Sequence, residues 1–116
     1  MIHEMTLRPL PFSQIADGSK TFELRLYDEK RQKIRIGDTI VFTSTADPRQ
    51  SVTVLVTSLH RFDSFAELYR TLPLLRCGYT AENIAQADPR DMEAYYPIEE
   101  QGRHGVLGIG IELQTE

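Results

Sequence analysis

Four side chains between Gly18 and Leu26 bring chemical capacity together in about one strand's length: Lys20, Thr21, Glu23 and Arg25. Glu23 and Arg25 stand two residues apart, which on a strand puts them on one face. A guanidinium there can hold a phosphate or a base carbonyl, and a carboxylate can accept from a base amino group. The same carboxylate could act as a general base with Lys20 tuning its proton affinity. A general-base or Schiff-base role for Lys20 itself would need burial to lower its pKa. The plain alternatives are a structural Glu23–Arg25 ion pair and a solvated lysine.

The element that must position these groups is a strand. From Thr21 onward the residues alternate, with Phe22, Leu24 and Leu26 on one face and Thr21, Glu23, Arg25 and Tyr27 on the other. Tyr27 is in phase to stack on a planar ligand. Lys30 and Arg31 follow on a polar turn, where they are either solvated or in contact with a nucleic-acid backbone. Tyr95 and Tyr96 precede Pro97, one ring expected to anchor its segment and the other to face a cleft. Tyr69 and Tyr79 are further candidates for stacking.

The rest of the chain supplies a frame. His3–Leu7 alternates as a short strand, Pro9 and Pro11 open a helix, and Gly18 ends it. Gly37–Asp38 is a turn before a strand over Thr39–Thr43. Ser51–Leu59, rich in valine and threonine, is the clearest strand, and the two are expected to form an antiparallel hairpin. Ser64 caps a helix with Glu67 in the capping-box position, and Asp63 competes as the cap. Short helices are expected from Thr80 and over Asp91–Tyr96, the latter ended by Pro97. Gly105–Leu113 closes the chain as a strand. Its Gly108 and Gly110 share a face, either because the backbone packs closely there or because they floor a ligand site.

Composition bounds the function. At 116 residues, 41% hydrophobic and 26% charged, the chain is a single-domain length able to bury a core without disulfides or metal. The one cysteine, Cys77, follows an apolar stretch and is expected to be a buried structural thiol. His3, His60 and His104 lack metal-ligand spacing, and no metal or cofactor is expected. No phosphate-cradling glycine loop and no nucleophile elbow is present. The start of the chain lacks the basic-then-apolar order of a signal peptide and no apolar run could span a bilayer, so a cytoplasmic protein without a membrane partner is expected.

A net charge of −4 argues against indiscriminate nucleic-acid binding. The charge is nonetheless uneven. Six bases and three acids lie between Lys20 and Arg35, against six acids and one base between Glu82 and Glu100. Such asymmetry can make a positive patch on an acidic protein, or pair across the fold.

Gly18-Ser19-Lys20-Thr21-Phe22-Glu23-Leu24-Arg25, then Asp28-Glu29-Lys30-Arg31, then Ile36-Gly37-Asp38-Thr39-Ile40-Val41-Phe42, with the late Tyr95-Tyr96 and Gly105-Val106-Leu107-Gly108-Ile109, resembles the ASCH domain family along nearly the whole chain. The resemblance implies one domain over residues 1–116. Its fold would be α+β, a small, mostly antiparallel, PUA-like β-barrel with short helices at the ends. It also implies a cleft walled by Glu23 and Arg25 with Lys20 at its mouth, and an association with RNA or modified nucleosides.

The expected ligand is RNA or a nucleoside-like small molecule, held by Lys20, Glu23, Arg25, Tyr27, Lys30, Arg31, Tyr95 and Tyr96. Small members of the family that hydrolyse acylated cytidines have a lysine where Lys20 stands and a threonine nucleophile three residues later, where this chain has Glu23. A hydrolase, or a nuclease, would use Lys20 and Glu23 with Thr21 as the remaining hydroxyl and Glu67 as the nearest further carboxylate. The third alternative is a regulatory module that docks on a protein through the acidic segment 82–100.

Overall fold

In the computed structural model, which describes residues 1–114, five strands form one sheet. The elements run β1 (Ile2–Leu7), α1 (Pro9–Ala16), β2 (Phe22–Leu26), β3 (Thr39–Ser44), β4 (Ser51–Phe62), α2 (Phe65–Thr71), α3 (Ile98–His104) and β5 (Val106–Leu113). Short 3-10 turns occupy Arg31–Lys33, Leu74–Arg76, Ile84–Gln86 and Pro89–Ala94. The strand order is β1-β3-β4-β5-β2. Only the β1–β3 pair is parallel; the other three are antiparallel. The sheet curls into a half-barrel whose two edges are β1 and β2. The fold is thus α+β and mostly antiparallel, and the barrel is open along one seam.

Alternation in β1 and β3 explains the core. Met5, Leu7, Ile40 and Phe42 point inward with Val54 and Val56 of β4 and Leu107, Ile109 and Ile111 of β5. A second apolar cluster, on the other side of β5 and β2, joins Leu24, Leu26 and Val106 to Phe65, Leu68 and Leu72. β5 is therefore covered on both faces, and this is where its glycines act. A Cβ at Gly108 would come within 2.5 Å of Leu72 Cδ1, and one at Gly110 would overlap Ser58 Oγ. Close packing, not a ligand floor, accounts for both.

The β3–β4 hairpin forms as expected, and β4 runs three residues further, to Phe62. Ser64 Oγ accepts from the Glu67 backbone N–H at 3.2 Å. The Glu67 carboxylate reaches back to the Asp63 N–H and not to that of Ser64, so the two candidate caps divide the box. Between α2 and β5 the chain departs most from expectation. The Thr80 segment becomes the 3-10 turn Ile84–Gln86, and the Asp91 segment begins earlier, at Pro89, capped by Asp88. Pro97 does not only stop a helix; it stands at the start of α3, which the sequence pattern did not reveal. Among the described residues no helix is long and apolar enough to cross a membrane.

At the start of the sheet, Asp38 gathers the His3 imidazole at 2.8 Å, the Arg35 backbone N–H at 3.0 Å and the Met1 ammonium at 3.3 Å. These hold its carboxyl down to about 2, the His3 hydrogen bond most of all. A folded-state pKa below the unfolded value stabilises the fold above that value, and the stabilisation is lost as pH falls through the folded one. Asp38→Asn is therefore expected to narrow the gap between urea midpoints measured at about pH 6 and about pH 2. A gap as wide as that of the parent chain would show that Asp38 ionisation adds nothing to the pH dependence of folding.

Candidate functional site

The Lys20 backbone is fixed on both sides. Gly18, at φ 85°, ends the run out of α1. The Lys20 N–H donates to Gln14 O at 3.0 Å, and the Thr21 N–H donates to Arg76 O at 2.8 Å. From this anchored position the Lys20 side chain turns back toward β2, where Nζ lies 3.0 Å from Glu23 Oε1. Arg25 Nε donates to the other oxygen, Oε2, at 2.7 Å. Glu23 is only 4% exposed, and both cations are nearly as buried. Burial alone would push the Glu23 carboxyl up; the charges and hydrogen bonds of Lys20 and Arg25 outweigh it and hold the group below the ordinary glutamate range.

The alternation read from the sequence therefore places Glu23 and Arg25 together, but not on a solvent face. Glu23 is a buried counter-ion, with each oxygen engaged by a different cation. A carboxylate in that state is a poor proton acceptor and a good fixed anchor. Each cation retains N–H groups beyond those given to Glu23: three belong to an ammonium and five to a guanidinium. Arg25 spends one of these, on Nη2, at Thr6 O across the seam at 2.8 Å.

Lys20, Glu23 and Arg25 line a cleft of about 570 Å³ between α1, β2 and the 3-10 segments that follow α2. Tyr95 and Tyr96 line it too. Tyr96 stacks on Phe65, with centroids 6.2 Å apart and planes 16° apart. Its backbone carbonyl accepts from the Gln101 side chain of α3, a buried amide. Burial pushes the Tyr96 hydroxyl up, against a smaller downward pull from Arg25, so it stays protonated and can donate. Tyr95 is half exposed, and the Arg8 guanidinium lies over its ring at 4.9 Å from the centroid.

Part of the lining is a hydrogen-bonded chain. The Tyr69 and Tyr79 hydroxyls lie 2.8 Å apart, and Tyr79 donates to Asp91 Oδ2 at 2.6 Å. Burial and then that bond push the Tyr79 hydroxyl far above its usual range. Cys77 also lines the cleft; burial pushes its thiol up to about 11, so it is not a thiolate nucleophile near neutral pH.

Other sequence candidates fall outside this cleft. Thr21 does not line it, and its backbone is committed on both sides, to Arg76 O and to the Ile111 N–H. Tyr27 lies one residue beyond the end of β2, so the alternation does not reach it; it packs against the main core beneath the Arg61 guanidinium, 4.8 Å from the ring centroid. Lys30 and Arg31 line a neighbouring groove. In the acidic segment, Asp91 faces the cleft while Asp88 binds Arg90 and Glu100 binds Arg103 and His104. Among the described residues no group of three or more His, Cys, Asp or Glu side chains could hold a metal ion.

Sequence reasoning missed Arg8, Gln14, Asn83 and Asp91 as lining residues. They arrive from a helix start, a helix middle and two 3-10 turns, and no spacing in the chain links them to Glu23.

A family model described as the ASCH domain matches residues 5–114. Solved structures share the fold. The crystal structure of a hypothetical protein, PH0355, is 28% identical with a TM-score of 0.84, covering 98% of this chain and 100% of that one. The solution structure of protein PF0455 from Pyrococcus furiosus is 27% identical with a TM-score of 0.73, covering 100% of both. An ASCH protein from Zymomonas mobilis is 14% identical with a TM-score of 0.63, covering 96% of this chain and 66% of that one. No curated protein matches the chain.

Proposed function

The chain belongs to the ASCH domain family, and from that premise we infer that it binds a nucleoside-like unit, free or within RNA, in the cleft above Lys20, Glu23 and Arg25. The observation that carries this reading is the buried carboxylate clamped between two cations. Glu23 holds the two donors in place, and their remaining N–H groups, with the Tyr96 hydroxyl, offer a set of donors to a base carbonyl or a phosphate oxygen. Tyr95, half exposed, supplies on the side away from Arg8 the face on which a base stacks. Charge and aromatic surface lie side by side, as recognition of an unstacked nucleotide requires.

Binding is favoured over hydrolysis because the candidate catalytic groups are otherwise employed. Glu23 is held ionised by two partners, Thr21 is outside the cleft, and the Cys77 thiol is held protonated. Glu67, the further carboxylate, caps its own helix.

The test is calorimetric titration of the purified chain with the ribonucleosides, their 5′-monophosphates and acylated cytidine, the mixtures then being chromatographed for product. At least one of these is expected to bind. Lys20→Met should weaken it about tenfold, the loss of about 1.4 kcal/mol expected for one charge-assisted hydrogen bond. Absence of heat and of thermal stabilisation with every compound would refute the reading. Product from acylated cytidine would replace it with the hydrolase alternative.

A further inference from the structure

Arg25 belongs to two concavities. Besides the cleft, it lines a second groove of about 410 Å³ with Thr6, Thr43, Lys30 and Arg31. Thr6 is common to both, so the cleft and the groove adjoin at the Arg25 side chain and the Thr6 carbonyl it binds. The groove lies over the seam of the half-barrel, where side chains join the two sheet edges: Arg25 Nη2 donates to Thr6 O and Lys30 Nζ to Glu4 O, both at 2.8 Å.

The two concavities differ in kind. Tyrosines concentrate in the cleft, while the groove has three cations and two threonines and no aromatic ring among its described lining residues. The acids that face these cations are Glu4, which lines the groove, Asp28, which binds Arg31 at 2.9 Å, and Glu23 behind Arg25. Arg31 Nε is buried with no hydrogen-bond partner, while its Nη1 binds Asp28. A base fits the first environment and a phosphodiester the second.

We propose that the groove holds the phosphate next in sequence to the nucleotide in the cleft, so that the ligand is a single-stranded nucleotide chain of two or more units and not a free nucleoside. The inference rests on the reading of the cleft given above. Arg25 is the joint between the two subsites, and Lys30, exposed on its turn, is the groove's most accessible cation.

The test compares ribonucleoside 5′-monophosphates with ribo-tetranucleotides, one homopolymer per base, by titration calorimetry at several salt concentrations, with a hexaglutamate peptide alongside. The best tetranucleotide is expected to bind at least about tenfold more tightly than its own monophosphate. In Lys30→Met that ratio should fall toward one, and the slope of log affinity against log salt for the tetranucleotide should shrink by about 0.7. Monophosphate binding with no gain for the tetranucleotide overturns the groove and leaves the cleft standing. A gain indifferent to Lys30→Met overturns it as well. Hexaglutamate binding as tightly as the tetranucleotide would mean an acidic protein segment is the occupant. Binding by none of the nucleotides overturns the groove, and the nucleoside and acylated-cytidine titrations then decide the cleft.

Discussion

Glu23→Ala is expected to lower the unfolding free energy by about 3–5 kcal/mol, the range for removing one member of a buried ion pair. The variant leaves Lys20 and Arg25 facing each other with the intervening carboxylate gone, each side chain about a tenth exposed. Like charges out of water repel, and neither cation has a second carboxylate to turn to among its described contacts. For a domain of this size the loss corresponds to a fall of roughly 10–20 °C in Tm. A change smaller than about 1 kcal/mol would show that the three groups are solvated in solution and that no buried clamp exists. A companion variant, Lys20→Met with Glu23→Leu and Arg25→Met, should recover much of the stability, because apolar groups of similar volume replace buried ions at little cost. It should not bind nucleotide. Recovery of the fold without recovery of the ligand would separate what the charges do for stability from what they do for recognition.

The second large effect is at Arg25, which serves three tasks at once. It neutralises Glu23, bridges to Thr6 O, and lines both the cleft and the groove. Arg25→Met is expected to cost about 3 kcal/mol of stability, since the buried carboxylate keeps only Lys20. Nucleotide affinity should fall about a hundredfold, equivalent to about 2.7 kcal/mol. Arg25→Lys keeps the charge but not the fork. One ammonium in place of the planar guanidinium is expected to hold Glu23 and lose Thr6 O, leaving stability nearer the parent chain while affinity still drops. Equal affinity in Arg25→Lys and the parent would mean that charge alone matters there, and that guanidinium geometry takes no part in recognition.

How much of the fold and the cleft is legible in the sequence depends on the range over which each signal acts. Strict alternation in β2 puts Glu23 and Arg25 side by side, because a strand's two-residue period is a local property. It fails at Tyr27 because β2 ends at Leu26, and the end of a strand is set by what its neighbours pair with. The same limit explains Glu23: its register sets it beside Ile109, on the sheet face that carries the main core, and only strand pairing makes that face the inner one. The far side of the cleft comes from the 3-10 segments after α2, distant along the chain. Those segments lack the 3.6-residue period that reveals a longer helix, so Asn83 and Asp91 have no recognisable place. α3 is hidden for a related reason. Its one buried side chain is an amide, Gln101, and its apolar residue, Ile98, is exposed, so there is no apolar stripe to detect. The two glycines of β5 are legible as a pair, but only the positions of Leu72 and Ser58 decide that they serve close packing.

The open seam has a consequence for how this chain behaves in a crowded solution. A sheet edge with unpaired backbone groups is a template on which another chain can add a strand and begin to aggregate. On β1 the carbonyls of Glu4 and Thr6 face that edge, and the long cationic side chains of Lys30 and Arg25 lie across them. A second copy approaching edge-on meets two positive charges before it meets a free carbonyl. The side chains that would grip a nucleotide chain thus also deter self-association, and shortening either one exposes the sheet to its own kind.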